Sequence, residues 1–436
     1  MLSLDEALAL VLTRAQPLPP VELEVSAALG RILAADVISD IDSPPHDKAM
    51  VDGYAVVAAD LQSAPVDLIV LEDVTAGDVP TIAVRSGCAS RVMTGAPIPR
   101  GADAMVMIER TTPLTYPAKW EPRRADPRPP LPSTVRIEAA PVAPGQNILR
   151  RGVALRTGEV ALRAGAKIRP IEAGILAEIG RTVVPASPRV RVAVLSTGNE
   201  LVPPAEFPAA GQIRNSNEAL LAAAVELNGG VAVRLGIARD EPAALREKIS
   251  AGLEQADMLL LSGGVSAGVL DLVPNLLEQL GVREVFHKVR LKPGKPIWFG
   301  TFASQTDEGS PREKLVFGLP GNPVGSFVCF EVFVRPALRR LAGEDADESA
   351  PGLTATLTEP FQHRGERPTF QPAWLALDRA DEPSTETGCH ANVTALRWHG
   401  SADLRTLAQA NALIVFPAGD RAYAAGDAVR VRLIGY

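Results

Sequence analysis

Three short segments pair glycine with hydroxyl or amide residues directly after an apolar run: LSTGNE at 195–200, LSGGVSAG at 261–268 and LPGNPVG at 319–325. Glycine lets backbone N–H groups approach an anion closely, and serine or threonine adds a hydroxyl donor. The set therefore reads as a cradle for a phosphate-bearing ligand, with Ser196, Thr197, Gly198, Ser262, Gly263, Gly264, Ser266, Gly321 and Asn322 as candidate donors. Each loop alone is also ordinary turn chemistry, so the recurrence at three strand ends carries the inference. None fits GxxxxGK[ST] or GxGxxG, and neither a P-loop NTPase nor a dinucleotide fold is supported.

The segment HKVRLKPGKP at 287–296 gathers Lys288, Arg290, Lys292 and Lys295 around Pro293 and Gly294. Alternation would point the first three to one face, where like charges repel unless an anion lies between them. A solvated edge strand is the competing reading, and two prolines stiffening the backbone around Gly294 favour the anion. Glu200, Asp240 and Asp271 sit just beyond strands or at helix starts. Asp240 and Asp271 are either helix caps or, with Glu200, carboxylates for a hard cation such as magnesium that bridges phosphates. The five histidines form no HxH or HxxxH pair, and Cys88, Cys329 and Cys389 are far apart. Neither a zinc ribbon nor a disulfide framework is encoded.

These groups need elements to hold them. From residue 189 the runs VRVAVLS, VAVRLGIA, MLLLS and REVFHKV alternate with helical stretches at 217–227, 242–255 and 273–280, which predicts a parallel α/β sheet with right-handed crossovers. In such a sheet ligands bind outside the carboxyl ends of the strands, where the three loops fall. A strand pair around 295–302 and 314–318 precedes a final helix, and the acidic stretch GEDADESAPG at 343–352 reads as a linker to a small β domain broken by a helical stretch near 404–411. Upstream, 21–40 looks strand-like, as do 81–108 and 135–137. Seven prolines between 111 and 134 predict a long exposed loop that interrupts one domain.

At 436 residues the chain should hold several domains, about three by length alone. A hydrophobic fraction of 46% with 22% charged residues describes a soluble protein, and no apolar run approaches a membrane span. The first residues spread Leu4, Leu8, Val11 and Leu12 along one helix face, with Asp5 and Glu6 where a signal peptide would be basic, so a cytoplasmic protein is expected. A net charge of −7 argues against nucleic-acid binding.

STGNELV, GGVSAGVLD, HKVRLKPGKP and GLPGNPVGS, in this order, resemble the MoeA family of molybdopterin molybdenumtransferases, which includes the E domain of gephyrin. PPHDKAMVDGYAV at 44–56, RVMTGAPIPRGADAMVMIE at 91–109 and PGQNILRRG at 144–152 are similar to further family segments. The resemblance implies an α/β plus β fold in an elongated four-domain subunit: a discontinuous domain I (1–38 and 141–186), an inserted domain II (39–140), an α/β domain III similar to the molybdopterin adenylyltransferase fold (187–343), and a C-terminal β domain IV (352–436). It implies a homodimer in which domain III of one subunit faces domain II of the other, and it admits other molybdenum cofactor biosynthesis proteins as partners. The implied reaction takes adenylylated molybdopterin and molybdate, depends on magnesium, and releases AMP.

By position, the resemblance assigns Asp52, Thr94, Glu200, Lys288 and Lys292 to catalysis, Asp240 and Asp271 to the metal, and Arg367 and Ser401 of domain IV to the pterin phosphate. The lysines would supply charge to an oxyanion or phosphate, while Asp52 and Glu200 would shape the molybdate side or activate water. Several positions depart from the family pattern. Asn199, Ala154 and Val269 stand where acidic residues are usual, and Gly325 stands where serine is usual. The alternatives to insertion are a paralogue that binds the pterin as carrier or scaffold, and an adenylyltransferase acting through domain III alone.

Overall fold

A strand that is apolar at every position must be covered on both faces, and the central strands here are. The computed structural model describes residues 1–116, 130–138, 140–264, 272–305, 311–344, 353–377 and 391–434. Its α/β layer runs β1 (Arg191–Thr197), α1 (Asn217–Leu227), β2 (Val231–Ala238), α2 (Pro242–Gln255), β3 (Met258–Ser262), α3 (Leu272–Gln279), β4 (Val282–His287), β5 (Trp298–Gln305), β6 (Pro311–Leu319) and α4 (Pro323–Cys329). A π turn, Phe330–Val334, carries α4 into α5 (Arg335–Leu341). The strand order is β2-β1-β3-β6-β5-β4. The expected parallel sheet is mixed toward one edge: β5 pairs antiparallel with both β6 and β4, and β5 and β6 are the strand pair read around 295–302 and 314–318.

Alternation sorts the side chains. Val192, Val194, Met258, Leu260 and Phe317 enter one core with α1 and α4, while Ala193, Leu195, Leu259, Leu261 and Val316 enter another with α2 and α3. Each buried Val, Leu or Phe contributes about 1.5–3 kcal/mol, so the strand ends that carry the loops are anchored from both faces. Register places Ser196 beside Ser262, Ser262 beside Leu319, and Thr197 beside Ala238, so all four strands end on one level.

The chain divides into two compact units, 1–35 with 165–173 and 183–436, and 36–164 with 174–182. Besides the α/β layer, the first contains the helix Leu4–Arg14, whose Ser3 and Glu6 form a reciprocal capping box. It also contains a closed barrel of the strands Leu353–Leu357, Ala391–Ala395, Thr369–Leu377, Ala412–Phe416 and Ala428–Leu433, with the short helix Leu404–Gln409. The barrel is tied to the α/β layer by backbone bonds on either side of Lys292: its N–H donates to Pro368 and its carbonyl accepts from Phe370. The second unit holds a six-stranded sheet ordered Ala104–Met107, Gly53–Val56, Cys88–Val92, Val66–Val74, Thr134–Ile137, Thr111–Thr115.

Two expectations change. The segment 21–40 is not one strand: Val21–Glu24 pairs with Val183–Ala186, turns follow, and only Val37–Ile38 extends again. The proline-rich stretch begins as an edge strand, since Thr111–Thr115 pairs antiparallel with Thr134–Ile137; Pro113 is tolerated there because an edge residue can do without its N–H. No helix among the described residues is long and apolar enough to cross a membrane.

Candidate functional site

The glycine loops meet at the carboxyl ends of β1, β3 and β6. Gly263 has φ +92, and a Cβ there would lie 2.5 Å from the Thr197 carbonyl oxygen and 3.1 Å from Thr197 Oγ1. Gly264 has φ +64, and its Cβ would lie 2.8 Å from the same hydroxyl. Only glycine permits the second loop to pass this closely over the first. Gly263 also touches the third loop, since a Cβ on Gly321 would fall 3.7 Å from its Cα. The Thr197 hydroxyl is buried and has no hydrogen-bond partner among the described residues. An orphaned buried donor beneath two glycines is unfavourable unless a ligand meets it.

Ser196 and Ser262 do not line this cradle. Both are buried and their hydroxyls bond each other at 3.0 Å, because adjacent register stacks them beneath the loops; they support the strand ends instead of donating to a ligand. Gly198 donates its N–H to Ala238, and any side chain on it would run into the Glu200 carboxylate, which folds back over the loop and is exposed. Asp240 is exposed beside it, its N–H donating to Asn199 Oδ1 at 3.2 Å. Asn199 thus supplies the acceptor an aspartate would supply, without a third negative charge. Ser266 and Asp271, with the departure at Val269, lie outside the described residues.

Lys288 follows β4 at the same end of the sheet, with φ 71 and a half-buried side chain. The alternation expected of 288–292 appears in burial, though not as a strand: Val289 and Leu291 are buried, Arg290 and Lys292 exposed. Lys295 is also exposed. Pro293 and Gly294 are buried, and a Cβ on Gly294 would meet Cys329 Sγ at 2.7 Å and Leu291 Cδ2 at 2.8 Å. The glycine therefore serves close packing here, and the lysines on either side are what remain presented. Gly321 and Asn322 are exposed at the head of α4. Gly325 leaves room that a Cβ, 3.2 Å from Pro320 Cβ, would crowd.

The barrel brings its two expected residues to these loops. Arg367 donates Nη1 to the Leu291 carbonyl at 3.0 Å, bracing the lysine segment, and Ser401 accepts the Val324 N–H at 3.0 Å behind the PGNP turn. Two supports escaped the sequence. Arg239 donates Nη1 to the Asn199 and Leu201 carbonyls at 2.6 and 3.3 Å, and Asn217 donates Nδ2 to Gly321 O at 2.7 Å. Arg239 follows its strand immediately, which is the one signal that could have found it.

In the second unit Asp52 and Thr94 come together although 42 residues separate them. Thr94 donates both N–H and Oγ1 to Asp52 Oδ1, each at 2.7 Å. The threonine hydroxyl, then its N–H, hold the exposed carboxyl below the ordinary aspartate range. Gly53 permits this because its strand lies directly against the Val106 carbonyl. Ala154 is exposed in this unit, its N–H donating to Ser43.

Magnesium, which the resemblance implies, takes hard oxygen donors. Among the described residues no three His, Cys, Asp or Glu side chains cluster for a metal. Two exposed carboxylates, Glu200 and Asp240, flank the cradle, and magnesium commonly takes one or two carboxylates with ligand phosphates and water. The donor chemistry fits an ion that arrives with its phosphates.

Comparison with known proteins gives the same picture over nearly the full chain. Residues 2–180 match the family profile of the MoeA N-terminal region (domain I and II), 193–340 that of a probable molybdopterin binding domain, and 354–434 that of the MoeA C-terminal region (domain IV). A molybdopterin molybdenumtransferase of Nostoc sp. is 34% identical over 94% of this chain and 87% of its own, and one of Staphylococcus aureus 31% identical over 98% and 94%. The crystal structure of the molybdopterin biosynthesis MoeA protein of Pyrococcus horikoshii superposes with a TM-score of 0.76 at 29% identity, covering 99% of this chain and 100% of that one. The chain belongs to the MoeA family, the molybdopterin molybdenumtransferases of molybdenum cofactor biosynthesis.

Proposed function

We propose that this protein transfers molybdenum from molybdate to adenylylated molybdopterin and releases AMP. The observation that carries the reading is the cradle itself: a buried, unpartnered Thr197 hydroxyl under Gly263 and Gly264, with Lys288, Lys292 and Glu200 at the same end of the sheet. Backbone and hydroxyl donors suit phosphate oxygens, and cations beside them suit an oxyanion substrate. Lys288 and Lys292 neutralise charge on the phosphate and on molybdate. Arg367 holds the Lys292 segment in place through the Leu291 carbonyl, and Ser401 steadies the PGNP turn that presents Gly321 and Asn322.

Asp240, with Asp271, would hold magnesium, which when bound offsets the negative charge of the phosphates. Glu200 orients molybdate or a water. Asp52, whose ionised form Thr94 favours, works on the molybdate side from the partner subunit of a homodimer, a reading supported by family membership and by the hydrogen-bonded pairing of the two exposed residues from separate turns. The test is complementation of cells that lack the insertase, at low and at high molybdate. Growth of a molybdoenzyme-dependent strain is expected at both; no rescue at either concentration, with the protein expressed and folded, would overturn the proposal.

A further inference from the structure

A cavity of about 380 Å³ lies among Arg31, Lys167, Arg335, Arg339, Ala342 and Glu344, in the size range of small-molecule sites. It shares no residue with the phosphate cradle. Arg335 and Arg339 are one turn apart on α5 and so project from the same helix face. Glu344 is shared by two cations, Lys167 Nζ at 2.9 Å and Arg339 Nε at 2.5 Å. Burial opposes its ionisation, but these two hydrogen bonds hold its carboxyl below the ordinary glutamate range. Arg335 Nε stands 3.2 Å from the Glu331 carboxylate without the alignment of a hydrogen bond.

Arg31 is the residue that calls for explanation. Its Nε is buried and has no hydrogen-bond partner among the described residues, and burial together with the nearby Arg189 charge disfavours its protonated form. Four cationic side chains thus line the cavity, with Glu344 as the carboxylate among the described lining residues and Glu331 beside Arg335. A guanidinium Nε withdrawn from water without a partner is unfavourable, and the planar fork of the group matches phosphate oxygens.

We propose that this cavity binds the phosphate dianion of a small phosphomonoester, with Arg31 and Arg335 as principal donors. The volume exceeds what a bare phosphate fills, which favours an ester over the free anion. The site would be one for a ligand other than the pterin.

Isothermal titration of the full chain with glycerol 3-phosphate tests this, using inorganic phosphate as the second probe. The doubly substituted Lys288→Met, Lys292→Met protein silences the cradle. Binding of glycerol 3-phosphate is expected to persist in that protein and to weaken about tenfold or more on adding Arg31→Met, one charge-assisted contact being worth at least that factor. Should Arg31→Met fail to fold, Ala342→Glu, on the cavity wall, places a negative charge there and is expected to weaken binding equally with an unchanged melting temperature. Wild-type affinity in both variants would overturn the proposal, as would loss of all binding in the lysine variant alone. Equal affinity for inorganic phosphate would overturn its ester part. Binding that appears only after neutralising Asp345, Asp347 and Glu348 would mean that the chain's own acidic stretch is the natural occupant, and would overturn it as well.

Discussion

Replacing Gly263 by alanine probes the cradle at its tightest point. The residue sits at φ +92, where a side chain is strained by about 1–3 kcal/mol whatever the space. Its Cβ would also lie 2.5 Å from the Thr197 carbonyl oxygen, a backbone atom that can yield only by moving the end of β1. Overpacking of this kind costs about 1–3 kcal/mol more. With about 2–4 °C lost per kcal/mol in a domain of 150–250 residues, the melting temperature should fall by at least about 4 °C. Turnover should suffer further, since a displacement near 1 Å of a positioned group costs up to about 10²-fold. The assay is AMP release from adenylylated molybdopterin with molybdate, alongside calorimetry. Gly321→Ala is the control: its Cβ makes an ordinary 3.7 Å contact and its φ is not in the left-handed region, so the melting temperature should hold. Wild-type melting and turnover in Gly263→Ala would refute the claim that these two loops are locked together by contact.

Thr94→Val removes the hydroxyl that does most to hold the Asp52 carboxyl low. A depressed carboxyl stays ionised to lower pH, so its loss raises the Asp52 pKa and should move the acid limb of turnover to higher pH; a carbon-13 titration of Asp52 that does not shift would contradict this. Arg239→Met frees the Asn199 and Leu201 carbonyls and should raise KM for the pterin substrate about 2- to 10-fold, the range of one modest hydrogen bond, while leaving the melting temperature nearly unchanged. Complete burial pushes the Cys329 thiol far above its ordinary range, so a thiol reagent should label it only after denaturation, as peptide mass spectrometry would show.

Much of the α/β layer was legible because its signals are local. The runs at 191–197, 231–238 and 258–262 are β-branched or leucine-rich, the first and third run straight into glycine, and the helices at 217–227 and 242–255 begin and end where the pattern changes. The roles of single residues were harder to read, because they depend on register. Ser196 and Ser262 look like ligand donors until pairing sets them face to face. Gly294 looks like an anion contact until Cys329 packs against it from α4, 35 residues on. Thr111–Thr115 reads as loop because proline dominates the window, whereas the opposing strand Thr134–Ile137 recruits it to a sheet edge. Arg239 and Asn217 carry no motif, and only the folded carbonyls they reach reveal them.

The central claim is that the cradle and its lysines transfer molybdenum rather than merely hold the pterin. Its most direct test is a single-turnover reaction of the purified protein with adenylylated molybdopterin, with and without molybdate, following AMP release and molybdenum retained on the product. AMP released only with molybdate, one for each molybdenum incorporated, and slowed about 10²-fold or more in Lys292→Met, is the predicted result. Tight binding of the adenylylated pterin with no AMP released at any molybdate concentration would contradict it.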